Sequence, residues 1–146
     1  MIQTPVSLIG VPTDVGAGTI GARMGPEALR VAGLGRTIAA FGSEVRDCGN
    51  LAGPPNPELP AVGGSRHMAE VVAWNQAAHE AIFRELSDGR LPIMMGGDHC
   101  LAIGSISAVA RRCRATGKTL RVLWFDAHAD LNTATMTPSG NIHGMP

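Results

Sequence analysis

The chain has 146 residues, 45% of them hydrophobic and 16% charged, with 12 basic side chains balancing 12 acidic ones. That is the length of one ordinary domain, and the balance suits a globular core. It excludes a disordered tail, and it argues against the concentrated basic patch that nucleic acid or an anionic membrane favours. No apolar run approaches the ~20 residues needed to span a bilayer. The three cysteines, Cys48, Cys100 and Cys113, are odd in number and form no CxxC. A disulfide framework or thiolate zinc site is therefore not expected, and a reducing, cytoplasmic setting is. The N-terminal stretch MIQTPVSLIG carries neither a basic leader nor a long apolar segment, so no secretory signal is expected.

In chain order, VSLIGVP (6–12) reads as a buried strand and the glycine-rich 14–25 as a loop. GPEALRVAG opens a helix with Pro26 suited to its first turn, and EVRDCG (44–49) is a second strand. The Pro/Gly-rich 51–65 reads as an exposed loop. Residues 66–87 form the clearest helix, with Val71, Val72, Ala78, Ile82 and Leu86 at helical spacing and Ser87-Asp88-Gly89 as a stop. LPIMMGG (91–97) is a strand, 101–113 a helix and LRVLWFDA (120–127) another strand, while 131–146 shows no period. Arg111, Arg112 and Arg114 read as the solvated end of a helix. His67 and His79 read as residues on solvated helical faces. Alternating strands and helices imply an α/β fold with a mainly parallel sheet between helix layers, in one domain spanning 1–146.

Ligands in such sheets gather at the carboxyl ends of the strands, where GGDHC and DAHADLN both fall. On an extended chain Asp126, His128 and Asp130 point the same way, with Ala127 and Ala129 facing away. Two carboxylates and an imidazole make an oxygen/nitrogen donor set suited to Mn²⁺, Fe²⁺ or Zn²⁺. His99, at the neighbouring strand end, is a fourth candidate ligand. Asp98 reads as a helix cap or a partner of the ligands. Taken alone, Asn132, Ser139 and Asn141 also fit ordinary turn chemistry, and His143 an exposed loop histidine.

GGDHCLAIGSIS (96–107), WFDAHADLNT (124–133) and SGNIHGMP (139–146) resemble the signature blocks of the arginase branch of the ureohydrolases, and IGVPTDVGAG…GPEALR (9–30) is similar to that family's N-terminal strand and loop. The resemblance implies a three-layer α-β-α fold and a binuclear Mn²⁺ hydrolase converting L-arginine and water to L-ornithine and urea, with Fe²⁺ or Co²⁺ as other metals. By match, His99 and Asp130 would hold one ion, His128 the other, and Asp126 would bridge both. Asn132, Thr137 and Ser139 match positions that recognise the substrate's α-carboxylate, and His143 matches a proton-shuttling histidine. The resemblance further implies a homo-oligomer, a trimer or hexamer in complete form.

Two departures stand inside these blocks. Cys100 replaces a usual serine, with no thiolate-activating partner evident, and Pro138 stiffens the substrate loop, which would shift Thr137 or Ser139. A third is larger. The family takes its remaining metal carboxylates from a later DxD motif, and none of the other acids here forms a DxD pair. The chain is expected to be the N-terminal half of such a protein, its sheet incomplete at the C-terminal side. Alternative readings are an agmatinase or another ureohydrolase of guanidino compounds, and a non-catalytic metal-binding or assembly module. A single-zinc deacetylase of distantly related fold is a third, which the paired GGDH and DAHAD blocks oppose.

Overall fold

The computed structural model describes residues 4–146, so the first three residues of the N-terminal stretch lie outside the described residues. Strand β1 (Val6–Val11) is buried at every position and is the centre of a three-stranded parallel sheet ordered β2-β1-β3. Strand β2 (Val45–Asn50) pairs from Val6↔Val45, and strand β3 (Leu91–Gly96) runs in register from Val6↔Leu91 to Val11↔Gly96. An apolar strand flanked by parallel neighbours has to be covered on both faces. Ile9 and Val11 pack with helix α3 (Met68–Ser87) and helix α4 (Ala102–Ala115), whereas Val6, Leu8 and Met95 pack with Leu34 and Ile38 of the other face. The expected α/β sandwich with a parallel sheet is observed.

Helix α1 (Gly25–Val31) starts with Pro26 in its first turn, as its fixed φ favours. Helix α2 (Leu34–Ala40) has no counterpart in the sequence reading, because Gly33 and Gly35 look like breakers. Gly33 instead sits left-handed at the helix start (φ 84°), and Leu34 and Ile38 supply the apolar stripe. Helix α3 buries Val71, Trp74, Ala78, Ala81 and Ile82 and stops at Asp88, followed by left-handed Gly89 (φ 75°). Arg112 and Arg114 do fall in the last turn of α4, while Arg111 lies over the Phe83 ring at 3.9 Å and pairs with Glu80. Strand β2 is largely exposed, and the salt bridge of Asp47 to Arg30 lies along it, charges suited to an open edge.

Three local expectations are corrected. Residues 120–127 do not form a strand: Leu123 is 73% exposed and Phe125 92%. A strand requires a ladder partner. Leu120–Leu123 line an open cavity of about 420 Å³ together with Pro92 and Met94, and among the described residues β3 pairs with β1 alone. His67 is not on a solvated face. It is buried at the start of α3 in a left-handed conformation, with Nδ1 donating to the Val15 carbonyl (2.8 Å) and Nε2 accepting from the Leu59 amide (3.0 Å). His79 stacks beside Phe83 and approaches Arg111 rather than standing free in solvent. The 51–65 loop is exposed over much of its length, but Gly53 lies against the Trp74 indole, whose Nε1 donates to Pro54 O (2.8 Å).

Candidate metal centre

The carboxyl end of β3 is built to deliver His99. A Cβ on Gly97 would stand 2.3 Å from Thr13 O and 2.6 Å from Val11 O, so only glycine lets β3 cross that close to β1. The Asp98 amide then donates to Thr13 O (2.8 Å), and Asp98 Oδ1 accepts from the Cys100 amide (2.9 Å), capping the 3-10 turn His99–Leu101. Cys100 and Leu101 anchor the turn in the core while His99 faces the rim. The capping role expected of Asp98 is present. Its other oxygen, Oδ2, is buried without a hydrogen-bond partner.

Asp126 and Asp130 come to the same point by a different route from the one expected. They do not alternate along a strand. The His128 amide donates to Asp126 Oδ1 (2.9 Å), which closes a turn, and Asp130 is left-handed (φ 49°). The two carboxylates therefore converge without pleat geometry. Ligand atoms of His99, Asp126 and Asp130 all lie within 4.8 Å of one another. His99 Nδ1 is 4.0 Å from Asp130 Oδ2, an oxygen buried without a hydrogen-bond partner. His128 is left outside the group, its side chain 83% exposed and its Nδ1 3.4 Å from Asp126 Oδ1. The His128 amide also holds the Asp126 carboxyl below the usual carboxylate range, so it is ionised near neutrality.

The remaining candidates surround this group. The His143 ring stacks on His99 with centroids 5.3 Å apart, and its backbone amide donates to Gly16 O (3.3 Å). Ile142 is buried beside it and anchors the turn. The Asn132 amide donates to Gly144 O (3.0 Å). Thr137 Oγ1 accepts from the Gly140 amide (3.1 Å), and Ser139 Oγ accepts from the Asn141 amide (3.2 Å). Each hydroxyl therefore keeps its own proton free to donate. Pro138 is accommodated between them in this turn. Burial, reinforced by Asp98, pushes the Cys100 thiol well above the ordinary range, which agrees with its having no nucleophilic role.

Sequence reasoning missed Trp124, whose ring stands edge-on to His99 with centroids 6.2 Å apart. Its position two residues before Asp126, as an aromatic ending an apolar run, is the signal that would have found it. It also missed Arg66, whose Nε donates to Asn141 Oδ1 (3.0 Å), and no motif marks that residue.

A divalent ion fits this group. The donors are one imidazole and two carboxylates, hard to intermediate ligands of the kind Mn²⁺ and its neighbours take. Asp130 Oδ2, buried and without a hydrogen-bond partner, is the kind of atom a cation satisfies.

The family model described as the Arginase family matches residues 4–146. An arginase of Brucella melitensis is 41% identical over 140 residues, 95% of this chain and 45% of that protein. An arginase of Bacillus caldovelox is 39% identical over 144 residues, 97% of this chain and 47% of that protein. The solved structure of the Bacillus caldovelox enzyme superposes with a TM-score of 0.90 at 37% identity, covering 99% of this chain and 48% of that one. An Entamoeba histolytica arginase solved with L-ornithine superposes with a TM-score of 0.83 at 33% identity, covering 100% of this chain and 49% of that one. The chain thus spans about half the length of the relatives it matches. From its strand order to the blocks that meet at its rim, this chain belongs to the arginase family.

Proposed function

We propose that the chain carries part of the active site of a manganese-dependent hydrolase that converts L-arginine and water to L-ornithine and urea. The observation that carries this reading is the convergence of His99, Asp126 and Asp130 at the carboxyl end of β3, with a buried oxygen of Asp130 lacking a hydrogen-bond partner. His99, Asp130, Asp126 and His128 would hold the metal, His128 by turning its exposed ring inward about the Asp126 turn. Bound there, paired divalent ions would acidify water to a nucleophile near neutral pH, which the weakly electrophilic guanidinium carbon requires.

The chain's own groups supply the rest. His143, stacked on His99, would hold a proton and release it to the departing amine, a transfer that an imidazole can perform. Thr137 and Ser139 have their oxygens occupied by backbone amides and their hydroxyl protons free, so they can donate to a carboxylate. The Asn132 side-chain amide is a third donor of that type. These three would orient the amino-acid end of the substrate. Residues 1–146 would be one part of a single ureohydrolase domain, acting in the cytoplasm within a homo-oligomer. No helix among the described residues is long and apolar enough to cross a membrane.

The test is Mn²⁺ titration followed by calorimetry or electron paramagnetic resonance, with Asp126→Asn in parallel. The loss of affinity should exceed the ~10–100-fold typical of groups outside the ligand shell. Equal affinity in the variant would remove Asp126 from the site. A second reading is a module that binds a single ion without catalysis. The outward His128 favours it, since one compact group remains. Saturation at one ion per chain would support that reading, and two would support the binuclear one.

A further inference from the structure

The segment carrying Thr137, Ser139 and His143 belongs to no strand or long helix, so something outside it has to hold it in place. The contacts that do so converge on Arg66. Its backbone amide donates to Gly140 O (2.8 Å), its Nε to Asn141 Oδ1 (3.0 Å) and its Nη1 to Leu59 O (2.6 Å). One guanidinium thus ties two loops together from two separate nitrogens, Nε and Nη1, held in a planar fork, whereas a lysine would have to reach both acceptors from a single nitrogen.

The strand of chain bearing Arg66 is itself fixed. Val62 and Ser65 exchange backbone hydrogen bonds (2.9 and 3.1 Å) across Gly63 and Gly64, both left-handed, as a tight two-residue turn demands. A Cβ on Gly64 would fall 2.0 Å from Ala134 O, and one on Gly140 would fall 2.5 Å from Ala61 Cβ, so the two segments meet at backbone distance. Next along the chain, the His67 ring bridges Val15 O and the Leu59 amide. The circuit closes when the His143 amide donates to Gly16 O (3.3 Å), one residue from Val15.

We propose that Arg66 is a positioning residue for the 137–144 segment: it sets the placement of Thr137, Ser139 and His143 through Gly140 and Asn141, without touching metal or substrate itself. This rests on the reading of that segment as the substrate loop.

The experiment compares Arg66→Ala and Arg66→Lys with the unaltered protein in two arms. In the first, hydrogen exchange is followed by mass spectrometry. Arg66→Ala should speed exchange of the 140–144 amides about tenfold, the size set by losing one or two hydrogen bonds from a charged donor, while α3 and β3 stay unchanged. In the second, the Mn²⁺-loaded protein is titrated with L-arginine. The Kd for arginine should rise about tenfold in both variants while the Mn²⁺ affinity holds, because the metal group stands on other segments. Lysine should fail to restore either readout, since one nitrogen does not reproduce the spacing of Nε and Nη1 toward Asn141 Oδ1 and Leu59 O. Unchanged exchange at 140–144, equal loosening of α3 and β3, or full rescue by lysine would each overturn the proposal. If the unaltered protein binds no L-arginine, the ureohydrolase reading fails, and the exchange arm alone decides whether Arg66 places the loop.

Discussion

Gly97→Ala is the sharpest perturbation of the junction between sheet and site. An added Cβ would meet Thr13 O at 2.3 Å, Val11 O at 2.6 Å and Thr13 N at 2.8 Å, three backbone atoms that cannot swing aside as a side chain would. Overpacking of this kind costs about 1–3 kcal/mol. Moving β3 away also stretches the bond from the Asp98 amide to Thr13 O, now 2.8 Å, which adds about 1 kcal/mol. The expected loss is therefore about 2–4 kcal/mol. Gly96→Ala is the internal control one residue earlier. Its new Cβ would find only Leu101 Cδ1 at 3.9 Å, an ordinary contact, and the reduced freedom of the unfolded chain should stabilise by about 0.4–1 kcal/mol. With a urea slope of roughly 1–3 kcal/mol per molar, the two midpoints should separate by about 1 M or more. Because Asp98 and His99 follow directly, Gly97→Ala should also weaken Mn²⁺ binding while Gly96→Ala leaves it intact. Coincident urea midpoints for the two variants would refute the argument that β1 and β3 meet at backbone distance here.

Other consequences are open to direct measurement. Burial alone would raise the Glu85 carboxyl, but hydrogen bonds from Ser7 Oγ (2.6 Å) and Arg46 outweigh it and leave the group below its ordinary value. A depressed carboxyl contributes stability above its unfolded pKa, about 4.3, and that stability disappears as pH falls through the lower folded value. Thermal melts taken downward from neutral pH should show the unaltered protein losing stability below that point, and Glu85→Gln should start about 1.5–3 kcal/mol lower and flatten the acid slope. Parallel acid slopes would refute the assignment. Iodoacetamide should label exposed Cys48 in the folded protein and spare Cys100, which is fully buried with a raised thiol; mass spectrometry showing equal labelling would contradict that burial. Gly104→Ala, despite the helix propensity gained, should destabilise, because its Cβ would stand 2.4 Å from Asn75 O at the crossing of α3 and α4. A raised melting temperature would contradict that crossing distance.

What was legible in the sequence was whatever short-range pattern dictates. The buried run of β1, the helical spacing through α3 and the cap at Asp98 all follow from residue type and period. Helix α2 was hidden because its glycines obscure a two-residue apolar stripe that matters only once Leu8 is above it. Residues 120–127 have strand-forming side chains, but a strand exists only with a neighbour, and pairing is not a local property. The donor types of DAHAD were readable. Their geometry was not, because the Asx-type turn at Asp126 and the left-handed Asp130 replace strand alternation. His67 has the look of a surface residue in a polar stretch. Only the fold brings Val15 and Leu59 to its two nitrogens.

The most direct test of the account is Mn²⁺ binding by the folded protein, followed by electron paramagnetic resonance, with His99→Ala and Asp130→Asn in parallel and a chelated sample as control. The account predicts saturable Mn²⁺ binding that is lost on chelation, returns with added Mn²⁺ and is weakened in both variants, because ligand atoms of His99 and Asp130 meet at one point with Asp126. Absence of saturable binding, or binding unchanged in both variants, would contradict it.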